Sequence, residues 1–208
     1  MSARIANERA FPGQGSRADS GILGLSSGRI VLLNGPSSAG KTSLANALAD
    51  RLPTPWLVTP VDLFHRIRSR PQSDLPAEEW RRVFQRTRSA YHRALAGAAL
   101  AGCDVIGDHV LSEPWRLTEL IELTDGLVVL LVHVTCGLDE LERRETRRGD
   151  RQSGTARVQA GAVFAHGDCD LVIDTTATTP ELCADGVARL LASPPDQTAF
   201  ERLRAAAR

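Results

Sequence analysis

A glycine-rich segment that ends in lysine and threonine is the part of the sequence best suited to bind phosphate. It reads G-P-S-S-A-G-K-T and matches the pattern G-x-x-x-x-G-K-S/T. Phosphate oxygens need several convergent N–H donors. Glycines let the backbone wrap closely around them, and the N-terminus of a following helix adds the positive end of its dipole. We therefore expect a nucleotide-binding loop made of Gly35, Pro36, Ser37, Ser38, Ala39, Gly40, Lys41, Thr42 and Ser43.

Two side chains of this loop could act directly on a bound nucleotide. Lys41 would reach the β and γ phosphates as a catalytic residue, and the Thr42 hydroxyl would bind Mg²⁺. The sequence thus predicts ATP, or another nucleoside triphosphate, together with Mg²⁺. A chance glycine-rich turn is disfavoured because the flanking sequence predicts a strand before the loop and a helix after it.

The flanking elements also predict the fold. Residues 29–34 form an apolar run that leads directly into glycine, as expected of a buried parallel strand, and residues 42–52 carry leucines at helical spacing. Further strands are predicted at residues 56–59, 104–108, 127–134 and 171–174, and helices around residues 80–98, 115–123, 138–148, 155–165 and 180–191. This alternation predicts an α/β fold with three layers, of the P-loop nucleoside-kinase-like type, around five parallel strands. By analogy with such folds we expect the strand order 2-3-1-4-5.

Three polar residues follow predicted strands at the carboxyl edge of the sheet, where α/β enzymes hold their substrates. Asp62 could be the general base for an acceptor hydroxyl, or its carboxylate could cap the helix that is predicted to begin at Leu63. Asp108 could hold Mg²⁺ through water or contact the substrate. His109 could line the acceptor pocket, although a lone histidine is more often structural.

The segment R-E-T-R-R-G-D-R, residues 144–151, carries four arginines in a predicted helix and the turn that follows it. Phosphoryl transfer spreads negative charge over the equatorial oxygens of the transferring group, and guanidinium groups that fold over the nucleotide neutralise this charge. The same arginines could face solvent, as charge runs usually do. The residue types therefore predict a lid without saying which arginines act.

Four motifs, in their order along the chain, resemble the chloramphenicol phosphotransferase-like family. They are S-S-A-G-K in the loop, V-D after the second strand, R-E-T-R-R-G-D-R, and D-T-T after the last core strand. The resemblance covers most of residues 29–176. Members of that family are small kinase-like enzymes, and the namesake inactivates chloramphenicol by phosphorylating its primary hydroxyl.

The resemblance implies roles for individual residues. Asp62 matches the family's general base. Arg148 and Arg151 match arginines of the family's lid and are candidate catalytic residues, and Arg144 matches a third position, for nucleotide binding. Arg147 matches none of these positions, so we expect it on a solvated helix face.

The stretch between Asp62 and Asp108 departs from the family pattern. It is shorter than in the namesake, and it carries R-I-R-S-R-P-Q-S-D-L-P followed by an arginine-rich helix. Because this stretch would build the acceptor pocket, the departure concerns the identity of the acceptor and leaves the phosphotransferase class unchanged. Arg66, Arg68 and Arg70 could recognise an acidic acceptor or face solvent.

Composition disfavours several other kinds of protein. The 25 basic and 25 acidic residues cancel, so no net charge favours binding to nucleic acid or to an anionic membrane. No apolar run approaches the roughly 18 residues of a membrane span. The four cysteines are spread without a C-x-x-C pair, which predicts reduced and mostly buried thiols. We expect a cytoplasmic protein with a small-molecule partner, and the sequence does not indicate an oligomeric state.

We expect one domain, residues 29–192, between an N-terminal extension, residues 1–28, and a C-terminal tail helix, residues 193–208. The expected function is ATP- and Mg²⁺-dependent O-phosphorylation of a small hydroxylated compound, for example an antibiotic. Two alternatives stay open. One is a metabolic or sugar-nucleotide kinase of the zeta-toxin type, and the other is a nucleotide-binding regulatory module that hydrolyses slowly or not at all.

Overall fold

A five-stranded parallel sheet forms the centre of the computed structural model, which describes residues 26–71, 73–148 and 154–207. The strand order is β2-β3-β1-β4-β5 with helices on both faces, so the predicted fold class and strand order are confirmed. The strands are β1 (Ile30–Asn34), β2 (Leu57–Pro60), β3 (Val105–His109), β4 (Val129–Thr135) and β5 (Leu171–Asp174). The helices are α1 (Lys41–Ala49), α2 (Val61–Arg66), α3 (Ala77–Leu100), α4 (Pro114–Leu123), α5 (Leu138–Arg148), α6 (Thr155–Ala160), α7 (Pro180–Ala192) and α8 (Ala199–Ala206).

Two apolar layers hold the helices onto the sheet. All five residues of β1 are buried, and alternate side chains along the strand serve opposite faces. Val31 and Leu33 pack with Leu44 of α1 and with α7 on one face, whereas Ile30 and Leu32 pack with α3, α4 and α8 on the other. The uninterrupted apolar pattern of β1 therefore reflects burial on both sides, as the sequence predicts.

The strand register brings three chain segments to one edge of the sheet. Leu33 of β1 lies opposite Asp108 of β3, and Asp108 lies opposite Pro60 of β2. Because these strands are parallel, the segments that follow them leave the sheet at the same carboxyl edge. The nucleotide-binding loop, the end of β3 and the start of α2 meet there.

Several boundaries differ from the prediction by small amounts. Strands β1 to β4 begin one or two residues later than predicted, because the pairing in the ladder starts inside the predicted ranges. Helix α6 ends at Ala160 and gives way to turns before β5. The predicted N-terminal extension lies, up to residue 25, outside the described residues.

The tail helix α8 is part of the packed structure. Thr198 and Glu201 form a reciprocal capping box at its start, and Phe200, 1% exposed, packs into the same apolar layer as α3. The cysteine prediction is partly wrong, because only Cys183 of the four is buried, although all four are free thiols. In the described ranges, no helix combines the length and apolar content needed to cross a membrane.

Candidate active site

Three residues fix the shape of the nucleotide-binding loop. A Cβ atom at Gly35 would lie 2.2 Å from the Val134 carbonyl oxygen, so only glycine fits there. Gly40 has a left-handed φ of 85°, which glycine adopts without strain. Ser38 has a φ of 63°, a strained value for a residue with a Cβ, and its buried Oγ has no hydrogen-bond partner among the described residues. The loop is thus held in one shape with a polar atom available to a ligand.

Lys41, Thr42 and Asp108 form the polar centre of the site. The Lys41 ammonium donates to the Pro36 carbonyl oxygen at 2.9 Å, and its Nζ lies 3.6 Å from Asp108 Oδ1. The Thr42 hydroxyl donates to Asp108 Oδ2 at 2.6 Å. Lys41 and Asp108 are only 6% and 7% exposed, so little water screens the interaction between their charges.

The oxygen atoms of Thr42 and Asp108 suit a hard divalent cation. Mg²⁺ prefers oxygen ligands, and in phosphate-transfer sites it takes one or two from the protein while waters and phosphates supply the others. A hydroxyl and a carboxylate 2.6 Å apart beside the loop provide such a pair. No group of three or more His, Cys, Asp or Glu side chains suited to a metal occurs in the described part of the chain. The donor set therefore fits an ion completed by phosphates better than one held by protein alone.

These residues line a cavity of about 380 Å³, which we call the phosphate cavity. Asp62, in the first turn of α2, lines it together with Lys41, Thr42 and Asp108. The alternative prediction that Asp62 caps this helix is wrong, because the helix begins earlier, at Val61, with Pro60 in the capping position. The other lining residues include Ser37, Ser38, Gly40, Ser43, Val110, Arg144, Arg147, Thr175, Thr178 and Pro180.

Arg144 ties the arginine-rich helix to the loop. Its guanidinium donates to Glu140 Oε1 at 2.6 Å, to the Thr175 carbonyl oxygen at 2.7 Å and to the Thr175 hydroxyl at 3.2 Å. The Thr175 hydroxyl itself donates to the carbonyl oxygen of Ala39 at 2.8 Å. Arg144 therefore contacts the cavity while its hydrogen bonds position α5 and the segment after β5.

A buried glutamate joins α5 to α6. Glu145, 4% exposed, accepts hydrogen bonds from the backbone N–H groups of Gly154 at 2.8 Å and Ala156 at 3.1 Å, which caps α6 from outside. Gln159 of α6 accepts from the backbone N–H of Ser37 at 2.8 Å. The segment that carries the arginines is thus connected to the phosphate loop through α6.

The structure tests the prediction for Arg147 but not those for Arg148 and Arg151. Arg147 is exposed, as expected for a solvated helix face, but it also lines the phosphate cavity. Arg148 is the last residue of α5, and its side chain lies outside the described part of the structure. Arg151 lies outside the described residues altogether, so the lid roles of Arg148 and Arg151 stay predictions.

The structure places His109 away from the phosphate cavity, contrary to its predicted position at the acceptor pocket. Its side chain points to the opposite face of β3 from Asp108, since neighbouring strand residues alternate. His109 is fully buried, and its Nε2 lies 2.9 Å from His92 Nε2. His92 Nδ1 in turn lies 2.6 Å from Glu119 Oε2. Burial lowers the pKa of His109 well below its ordinary value, which favours the neutral form of the ring.

Sequence reasoning assigned no role to Thr175, Gln159 or Glu145. Thr175 and Glu145 lie inside motifs that the sequence analysis singled out, D-T-T and R-E-T-R-R-G-D-R, so their position was a usable signal. Gln159 lies on an unremarkable short helix, and only the three-dimensional contact with Ser37 identifies it.

The fold and the site together define a P-loop enzyme of the kinase class. The sheet order, the loop between β1 and α1, and a carboxylate hydrogen-bonded to the threonine of the loop are the features of that class. The chain belongs to the chloramphenicol phosphotransferase-like family, whose model matches residues 28–192. It is therefore a phosphotransferase with a hydroxyl acceptor.

Known proteins agree with this family and fold. A protein of Mycobacterium tuberculosis strain H37Rv named "Putative O-phosphotransferase Rv2636" is 33% identical over 204 residues, covering 88% of this chain and 91% of that protein. The tunicamycin resistance protein of Deinococcus radiodurans has a TM-score of 0.61 at 22% identity, covering 81% and 99% of the two chains. The APS kinase CysC of M. tuberculosis has a TM-score of 0.60 at 17% identity, covering 80% and 99%. At these identities the two solved structures support the fold alone.

Proposed function

We propose that this protein transfers the terminal phosphoryl group of ATP, in a Mg²⁺-dependent reaction, to a hydroxyl group of a small molecule. The observation that carries the proposal is the phosphate cavity, in which the loop lysine and threonine, the carboxylate of Asp108 and the carboxylate of Asp62 line one space. With two carboxylates in this cavity, one can bind the cation while the other acts on the acceptor.

The loop would bind the phosphates of the nucleotide. Backbone N–H groups at the start of α1 and the ammonium of Lys41 would contact the β and γ phosphates, and the unpartnered Ser38 hydroxyl adds a donor. Thr42 and Asp108 would hold Mg²⁺, which when bound neutralises charge on these phosphates. Thr178 and Pro180, which line the same cavity, are available to contact the remainder of the nucleotide.

Asp62 would act on the acceptor. As the acceptor oxygen forms a bond to the γ phosphorus, the bond from that phosphorus to the β–γ bridging oxygen breaks and ADP leaves. The carboxylate of Asp62 takes the proton that the hydroxyl loses. Asp62 lies in the first turn of α2 and lines the cavity in which this transfer would take place.

We propose that the acceptor is a small hydroxylated compound, and the candidate acceptors include antibiotics. The family name refers to chloramphenicol and one structural neighbour is a tunicamycin resistance protein. The residues that follow α2 determine which compound fits, because pocket walls set the discrimination between hydroxyl compounds.

The proposal can be tested by incubating the protein with ATP, Mg²⁺ and each member of a library of hydroxyl compounds that includes antibiotics. We expect ADP to form at a rate that depends on one or a few compounds, and mass spectrometry to find each of these carrying one added phosphoryl group. ADP formation at the same rate with and without every compound, and no phosphorylated product, would contradict it.

A further inference from the structure

A second, open cavity of about 700 Å³ lies between the segment that follows α2, helix α3 and the start of α4. We call it the arginine cavity, and its walls include Arg68, Trp80, Phe84, Arg88, Glu113 and Arg116. With Arg81, four arginines and one glutamate line it, a formal excess of three positive charges in a chain whose total charge is zero. Charge of one sign in a concave site attracts a ligand of the opposite sign.

The arginine cavity adjoins the phosphate cavity. Arg116 donates through Nη1 to the carbonyl oxygen of Val110 at 2.6 Å, and Val110 lines the phosphate cavity. From the other side, burial lowers the pKa of Arg88, and the negative charges of Glu113 and Asp62 oppose this shift, so Asp62 lies within electrostatic reach of Arg88. A small molecule in the arginine cavity would therefore lie within electrostatic range of the proposed base.

Two of the arginines have no carboxylate in ion-pair contact among the described residues. Glu113 is already occupied, because it pairs with Arg116 and accepts a hydrogen bond from Trp115 Nε1 at 2.9 Å. Within residues 26–71, 73–148 and 154–207, neither Arg68 nor Arg88 forms an ion pair, and Arg88 makes no hydrogen bond. Arg88 is half-buried, so its charge has been partly removed from water without a partner in ion-pair contact among the described residues.

Arg116 has unused donor capacity as well. Its side chain is only 5% exposed, and its buried Nε has no partner among the described residues. Burial, followed by the charge of Arg88, lowers the pKa of Arg116 to about 10. Repulsion between two partly buried guanidinium groups raises the free energy of the folded protein. An anion bound between them would offset this repulsion.

Aromatic rings give the cavity an apolar side. The guanidinium carbon of Arg68 lies 5.2 Å from the ring centroid of Trp80 and 4.9 Å from that of Phe84, and these rings also line the cavity. Stacking fixes Arg68 over the rings and orients its planar donor face. A ligand with a planar or apolar body would contact Trp80 and Phe84 while its anionic end meets the arginines.

We propose that the acceptor is an anionic hydroxyl compound, whose carboxylate or other acidic group binds Arg88, Arg68 and Arg116 while its hydroxyl reaches Asp62. This inference rests on the proposed function and narrows its substrate class. A neutral acceptor would bury Arg88 further without a counter-charge, whereas an acidic one forms charge-assisted hydrogen bonds with it. The cavity volume suits a small molecule of this kind.

The test uses matched pairs of hydroxyl compounds that differ only in a carboxylate or a carboxamide, such as aromatic and aliphatic hydroxy acids and their amides. Saturation-transfer NMR with the non-hydrolysable analogue AMPPNP and Mg²⁺ keeps the phosphate cavity filled, so binding reports on the second cavity. We expect binding among the carboxylates and not their amides. Equal binding by amides, or no binding in either set, would overturn the inference.

Arg88→Gln should weaken carboxylate binding by about tenfold or more, since a hydrogen bond to a charged group is worth about 1.5–3 kcal/mol. Arg68→Gln, at a more peripheral residue, should weaken it in the same direction if Arg88→Gln fails to fold. Arg86→Gln is the matched control, because Arg86 lies on the same helix but lines a different surface. Unchanged affinity in folded Arg88→Gln and Arg68→Gln would contradict the inference.

Turnover of the same pairs separates this inference from the proposed function. A neutral amide phosphorylated as fast as its acid would overturn the anionic acceptor and support the phosphotransferase. A carboxylate that binds through Arg88 but is never phosphorylated would support the anion site and contradict the proposed function.

Discussion

The phosphate cavity and the arginine cavity are built from the chain in opposite ways. The phosphate cavity takes about half of its polar lining residues from one unbroken segment, residues 35–43, and the carboxylates of Asp62 and Asp108 come from the neighbouring strand ends. The arginine cavity collects side chains from Arg68 to Arg116, on two helices, α3 and α4, and on the segments that precede them. The first can be identified from a pattern of eight letters. Of the second, the sequence singled out Arg68 as a candidate for binding an acidic acceptor, and the other residues are grouped only by the folded geometry. The type of reaction can therefore be predicted from the sequence, whereas the substrate cannot.

The two cavities also differ in how their charges are held. Lys41 is anchored by the Pro36 carbonyl oxygen and lies near Asp108, which keeps it ordered before any ligand arrives. Arg88 has no such partner in the described residues. Preorganised charge stabilises a transition state, and a charge without a partner favours binding of an anion. Variants in the two cavities should thus change different kinetic constants.

Lys41→Ala should have the largest effect, a fall in kcat of about a thousandfold, because one preorganised donor to a transition state is worth about 10² to 10³ in rate. Acceptor binding in the arginine cavity should not change. Turnover and NMR binding on the same protein, beside a thermal melt, measure both.

Two controls sharpen this experiment. Arg51→Ala removes a cation that follows α1 but pairs with Asp185 far from the loop, and it should leave turnover unchanged. Lys41 is also the only lysine in the chain, so acetylation by an amine-selective reagent, read by mass spectrometry, reports on it alone apart from the N-terminus. ATP should protect Lys41, and equal labelling with and without ATP would argue against the phosphate contact.

Asp62→Asn should lower kcat by at least about a hundredfold, because general-base catalysis contributes about 10² to 10⁴ in rate. The affinity for ATP should change little, since the carboxylate is proposed to serve the acceptor where the two cavities meet. Asp50→Asn, at an exposed residue after α1, is the matched control. Turnover of Asp62→Asn within a few-fold of wild type would move the search for the base to Asp108.

Arg148→Ala should lower kcat by about ten- to hundredfold while the dissociation constant of the nucleotide rises only a few-fold. The reason is that a lid arginine acts when the lid closes over the transferring phosphoryl group. Arg143→Ala, on the same helix but directed to Glu140, is the control. Calorimetry that finds binding lost in proportion to kcat would make Arg148 a ground-state anchor instead.

His133→Leu should have the smallest effect and should spare both cavities. Burial, followed by the charge of His166 and opposed by Asp168, lowers the pKa of His133 from 6.5 to about 4. Between these values the unfolded chain binds the proton and the folded chain does not, so stability is lost as pH falls from about 6.5 to about 4. The other four histidines have lowered pKa values and act in the same direction.

The readout for His133 is the drop in Tm between pH 7 and pH 4.5. In His133→Leu it should be smaller by about 5–10 °C, which is what about 2.5 kcal/mol is worth in a domain of this size. Turnover at pH 7 should match wild type. An unchanged drop in Tm would mean that His133 is not a source of the acid sensitivity.

Much of the fold followed from the sequence because its signals are local. A fully apolar run before a glycine, and leucines at helical spacing after it, predicted β1 and α1 near their observed bounds. Gly102, with a φ of 92° just beyond α3, is a residue type that commonly ends a helix. The end of α6 was missed, although Gly161 stands in the C-cap position directly after Ala160.

The site residues could be predicted where one segment carries the chemistry. The prediction failed where a residue's position depends on which face of the sheet its side chain points to. Adjacent residues Asp108 and His109 both end β3, but they point to opposite faces, which places only Asp108 in the phosphate cavity. The buried chain from His109 through His92 to Glu119 joins residues far apart in sequence. No local pattern marks such contacts, nor the grouping of Arg68, Arg88 and Arg116.

The fate of the γ phosphoryl group tests the central claim most directly. ATP labelled with a heavy oxygen isotope in that group, incubated with the enzyme, Mg²⁺ and an acceptor found by the screen, should pass its label to the acceptor in step with ADP release. Mass spectrometry of the acceptor and of free phosphate gives both quantities from one sample. Label recovered in free phosphate, with an unmodified acceptor, would contradict the account and indicate a nucleotide-hydrolysing regulatory module.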